Sequence, residues 1–96
     1  MKKNNFTSPN EEAVTQDIKQ KIETGQDINV AGIAFEEIEK IVMQLGEEYY
    51  KKGDSINALN CFNRILTHNP QNQKAKTYSD MIVNVLNYYN KDLLNP

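Results

Sequence analysis

The chain has 96 residues, a formal net charge of -2 and 39% hydrophobic residues, which suits one small domain with a modest core. Without a basic excess it carries no electrostatic footprint for nucleic acid, and its single cysteine, Cys61, closes no disulfide within the chain. No stretch approaches the ~20 apolar residues of a membrane span, and the N-terminal MKKNNFTSPNEE lacks the apolar run of a signal peptide, so a cytoplasmic protein is expected.

Residues 1–8 are polar and read as a flexible N-terminus. Ser8-Pro9-Asn10-Glu11 is a helix start, with Ser8 able to cap, Pro9 at the first helical position and Glu11 able to reach back. Val14, Ile18 and Ile22 then recur every fourth residue, and Gly25 is a plausible stop. This predicts a helix with one thin apolar line, followed by a connector, together spanning 9–32. Whether so thin a stripe docks is left open.

Ile33, Ala34, Ile38, Ile41, Val42, Leu45 and Tyr49 recur at three- and four-residue spacings, which predicts an amphipathic helix over 33–52 that stops near Gly53. Asp54 or Ser55 can cap the next helix. Its stripe is Ile56, Leu59, Phe62, Ile65 and Leu66, and it ends before Asn69-Pro70, because a residue preceding proline is pushed out of helical geometry. A fourth helix is predicted over 72–89, with Ala75, Tyr78, Met81, Ile82, Val85 and Tyr89 on one face. Residues 90–96 form a tail whose Leu93-Leu94 either folds back on that helix, the favoured reading, or docks elsewhere. No β-alternation competes, and the class is all-α.

Gly46 stands inside an amphipathic helix, where glycine costs about 1 kcal/mol relative to alanine, so a packing reason is expected. Gly46 and Ala58 remove bulk where two antiparallel helices touch, and Tyr49 and Phe62 can fill the space around them. Gly53 permits the left-handed residue of a short reversal. The stretch Val42-x2-Leu45-Gly46-x2-Tyr49, then Ala58-x3-Phe62, then Pro70, resembles the tetratricopeptide repeat pattern W-x2-L-G-x2-Y, A-x3-F, P. Val42 stands where the family has its large aromatic. The resemblance covers residues 39–72. Shifting the pattern by the family period of ~34 residues puts Glu12 and Thr24, or Asp80, at its small-residue positions, so the repeat is single.

The resemblance implies a right-handed helical hairpin of tetratricopeptide type within 33–96, plus an N-terminal helix and a C-terminal capping helix. The capping helix would show Lys74, Asn84, Asn87 and Asn90 on a polar outer face. It further implies a groove that takes an extended peptide or helix, with Lys40, Met43, Glu47, Tyr50 and Lys51 facing it and Gln71 and Asn72 at its rim. Met43 and Glu47 stand where some members carry a carboxylate clamp, so that clamp is not expected, and a mixed apolar and basic partner suits Glu47 better.

One repeat cannot bury its apolar face alone. Either the N-terminal helix packs back to close a monomer, or two chains complete each other. A homodimer through Ile33, Phe35, Ile38 and Val42 is the favoured expectation.

His68, the single histidine, is read as a cation at a helix C-terminus rather than a metal ligand, since no second ligand stands near it in sequence. Cys61 is read as a small buried hydrophobe rather than a nucleophile. The acidic run Glu36, Glu37, Glu39, Glu47 and Glu48 is read as a solvated face, partly paired with Lys40, Lys51 and Lys52. Tyr49 and Tyr78 fit the core, while Tyr50 and Tyr88 stand equally open between interface and incidental exposure. No cofactor, metal site or catalytic constellation is expected. The expected function is a non-catalytic protein–protein interaction module, a small adaptor or assembly subunit. The alternative is a structural self-association protein with no ligand but itself.

Overall fold

The structure, a computed structural model, describes residues 9–94, with side chains described for 12–88. Four helices follow in chain order: α1 (Pro9–Thr24), α2 (Phe35–Lys51), α3 (Ser55–His68) and α4 (Gln73–Leu94), with no strand among the described residues. Pro9 begins α1 as expected, whereas Ser8 and the flexible segment 1–8 lie outside the described residues. The fourth helix continues through Leu94, where a tail from residue 90 was expected, so the chain does not fold back before that point. Residues 95 and 96 and the seating of Leu93 and Leu94 lie outside what is described.

Local chemistry accounts for the α2–α3 reversal. Gly53 takes φ +83°, a left-handed value that a side chain resists. The Gly53 N–H donates to the Tyr50 carbonyl and the Asp54 N–H to the Tyr49 carbonyl, which satisfies the last carbonyls of α2. Asp54 is the N-cap of α3, its carboxylate accepting from the Asn57 N–H at 3.1 Å. Because the reversal is so short, α2 and α3 run antiparallel as a hairpin.

Their contact is close at Gly46. A Cβ built there would lie 2.7 Å from Cε1 and Cζ of Phe62 and 3.1 Å from the Cβ of Cys61. Carbon atoms normally pack at about 3.5–4.0 Å, so the missing side chain sets the helix separation. Phe62 is fully buried, and its ring stacks on Tyr78 of α4 at a centroid distance of 4.6 Å and an interplanar angle of 4°. One aromatic therefore joins three helices.

At its far end α3 stops at Asn69, whose φ of -141° and ψ of 81° are non-helical, as required of a residue before Pro70. Asn72 restarts the chain as α4, its side-chain carbonyl accepting from the Ala75 N–H at 3.0 Å. Glu39 of α2 accepts from the amides of both Asn69 (2.9 Å) and Asn72 (2.6 Å), tying the α3–α4 turn to α2.

The thin stripe of α1 does dock. Ile18 and Ile22, with Ile28 of the connector, are fully buried against the hairpin. Burial of each is worth roughly 2 kcal/mol before chain ordering is charged against it. The polar anchors come from the hairpin: Tyr49 donates its hydroxyl to Glu23 at 2.6 Å, Asn60 donates its amide to the Ile22 carbonyl at 2.9 Å, and Arg64 donates to the Gln26 carbonyl. The connector thus runs along α3 toward the start of α2.

Two stripes and one expected interface differ from expectation. Ile56 is 66% exposed, because on α3 it lies across the helix from Ala58, Phe62 and Ile65. Ile38 and Val42, expected as an exposed dimer face, are buried inside the chain beneath α1 and its connector. On α4 the buried line is Ala75, Ser79 and Ile82, with Tyr78 and Leu86 partly covered, while Met81 and Val85 point outward. The Ser79 hydroxyl donates to the Asn63 side-chain carbonyl at 3.0 Å, which makes its burial tolerable.

Candidate functional site: the α2–α4 groove

Helices α2 and α4 flank the same side of α3 and leave a groove of about 480 Å³, lined by Tyr50 from α2 and by Gln73, Lys74, Thr77, Tyr78 and Met81 from α4. Its floor is aromatic. Tyr78 rests on Phe62 and meets Tyr50 edge-on at 5.3 Å with a 71° interplanar angle, a favoured arrangement for ring quadrupoles. One wall is ionic. Lys74 Nζ lies 2.9 Å from the Glu47 carboxylate, which also accepts from the Tyr78 hydroxyl at 3.3 Å. The Glu47 hydrogen bond and charge push the Lys74 ammonium up from its ordinary value. Burial, followed by the Glu47 charge, does the same to the Tyr78 phenol.

Of the residues assigned to the groove by sequence, Tyr50 lines it and Glu47 stands at its wall. Glu47 spends its charge inside the chain on Lys74, which removes the reason to expect a basic partner. Met43 is half-buried against the core. Lys40 is exposed and 3.7 Å from Glu37, and Lys51 is exposed at the end of α2. Gln71 is exposed in the turn, its N–H donating to the Asn69 side chain. Asn72, expected at the rim, instead caps α4 and holds Glu39.

Gln73, Lys74, Thr77 and Met81 were not assigned to the groove. Their spacing along α4 places them on one face. That periodicity marks a face, but the packing of α4 on α3 decides which neighbour it meets.

The remaining chemically capable side chains have structural settings. Cys61 is fully buried on α3, and burial pushes its thiol up to about 12, so it stays protonated and inert. His68 packs its ring on Phe35 at 4.7 Å. Among the described residues no group of three His, Cys, Asp or Glu side chains is placed to hold a metal ion. No described helix is long and apolar enough to cross a membrane.

No protein-family model matches the chain, and no curated protein and no solved structure matches it.

Proposed function

We propose that the chain is a non-catalytic protein–protein interaction module of the tetratricopeptide type, a right-handed α2–α3 hairpin closed by α4, acting in the cytoplasm as a small adaptor or assembly subunit. Its ligand is a peptide or helix of a partner protein, seated between α2 and α4. The observation that carries this reading is the groove: two tyrosines and a methionine present apolar surface, and the adjoining charges of Lys74 and Glu47 cancel. A neutral, aromatic-floored groove suits a ligand that inserts an apolar side chain rather than a charged one. The motif reading draws support from Gly46, whose missing side chain admits the Phe62 ring.

The test is selection of a random peptide library against the folded chain, followed by calorimetric titration of a selected peptide. Tyr50→Ala is expected to weaken that peptide about tenfold or more, the size typical of a buried aromatic contact. Undiminished binding by both Tyr50→Ala and Met81→Ala, or no selectable peptide at all, overturns the groove as the binding site.

A further inference from the structure

The chemistry of the α2–α4 groove narrows the class of peptide it can hold. Both walls are helices, whose backbone groups are bonded within α2 and α4, so the groove offers no sheet edge for a strand to extend. Capture of a phosphate or a terminal carboxylate needs an unspent cation. Lys74, the one cation among the described lining residues, is 2.9 Å from the Glu47 carboxylate. Two modes of peptide recognition remain: an apolar-faced helix and an extended polyproline II segment.

Hydrogen-bonding groups left over in the lining separate these two. The Tyr50 hydroxyl, the Thr77 hydroxyl and the Gln73 side-chain amide have no hydrogen-bond partner among the described residues. All three residues are exposed beside the aromatic floor. A helix laid in the groove keeps its carbonyls inside its own ladder and gives these groups nothing to bond. A polyproline II segment has no internal hydrogen bonds, so every carbonyl points outward to meet a donor. Proline also brings no backbone N–H. That matters here because Glu47, the carboxylate at the wall, already accepts from Lys74 and Tyr78. An N–H pressed into this site would lose water without gaining a strong acceptor. Tyr50 and Tyr78 meet at 71°, which makes a corner with an aromatic face on each side for a pyrrolidine ring. From Gln73 to Met81 the lining runs eight residues along α4, about 12 Å, the length of about four residues in polyproline II.

We propose that the segment bound in the α2–α4 groove is a proline-containing one in the polyproline II conformation. Its rings pack on Tyr50 and Tyr78, and its carbonyls accept from Tyr50, Thr77 and Gln73. This inference rests on the reading of the groove as a peptide site and names the class of peptide.

The test is calorimetric titration of the full chain with a blocked deca-proline peptide, and with a blocked Gly-Ser peptide of the same length as control. Deca-proline is expected to bind saturably at concentrations up to about 1 mM, and the control at least about tenfold more weakly. Tyr50→Ala is expected to weaken deca-proline about tenfold or more. The double variant Tyr50→Phe with Thr77→Val keeps the ring and the branched side chain but removes both hydroxyls. It is expected to weaken deca-proline about tenfold, with unchanged helical circular dichroism because both sites are exposed. Absence of saturable deca-proline binding, equal binding of the Gly-Ser control, or full affinity in either variant would each overturn the proposal. Failure of this inference and failure of the groove are distinguishable. A proline-free peptide from the library that Tyr50→Ala weakens, with deca-proline not bound, leaves the groove standing and overturns the polyproline reading alone.

Discussion

Gly46→Ala is expected to destabilise the fold, although alanine is the better helix former. The intrinsic preference favours alanine by about 1 kcal/mol. Against that, the new methyl lies 2.7 Å from two ring carbons of Phe62 and 3.1 Å from the Cβ of Cys61. Restoring ordinary contact requires a shift of nearly 1 Å. The Phe62 ring cannot supply it cheaply, because it is fully buried and stacked on Tyr78. Overpacking of this severity falls at the upper end of the usual range, about 3 kcal/mol, leaving a net loss of about 2 kcal/mol. For a domain of this size that lowers Tm by roughly 8–16 °C, and it moves the urea midpoint down by about 1 M. Thermal and urea unfolding followed by circular dichroism measure both. A double-mutant cycle isolates the cause: Phe62→Leu should cost at least about 1 kcal/mol less in the Gly46→Ala background than alone. If Gly46→Ala is neutral or stabilising, or if the cycle shows no coupling, the close approach of α2 and α3 does not depend on the missing side chain.

Asp54→Ala removes the N-cap of α3 and should cost about 1 kcal/mol in urea unfolding. Asn60→Ala leaves the Ile22 carbonyl without its amide donor at the end of α1, a loss of about 1–2 kcal/mol, and hydrogen exchange of the α1 amides should quicken more than that of α3. Burial raises the Cys61 thiol from 9.0 to about 12, so the folded state holds this proton more tightly than the unfolded chain. Its stabilisation is complete below pH 9 and is lost as pH rises through about 12. Tyr49 is also raised, by burial first and then by Glu23, and adds a loss in the same direction at alkaline pH. Urea midpoints should therefore be insensitive to these two groups below pH 9 and fall above it, and iodoacetamide should label Cys61 only as the protein unfolds.

Local backbone chemistry was legible in sequence. The Gly53 reversal, a cap at Asp54 or Ser55 (the structure uses Asp54), the stop before Pro70 and the helical start at Pro9 each depend on one or two residues whose conformational limits hold in any fold. Gly46 was legible for a related reason, since a glycine that weakens its own helix implies a neighbour pressed against it. The α2 stripe held from Ile38 to Tyr49, because both sides of a hairpin helix are covered, whereas Ile33 and Ala34, expected in the same helix, precede its first residue, Phe35.

Tertiary structure decided what periodicity leaves undetermined, namely which neighbour covers a given face. The thin line on α1 became core because Tyr49, Asn60 and Arg64 supply polar anchors from residues distant in sequence. That docking buried Ile38 and Val42, which in the sequence have the same appearance as an exposed patch. On α4 the apolar residues span more of the helix than one neighbour can cover. Packing on α3 selected Ala75, Ser79 and Ile82 for the interior and left Met81 and Val85 outside. A helix carries its periodicity in its own sequence, but the direction in which that stripe faces is set by the surfaces available to bury it.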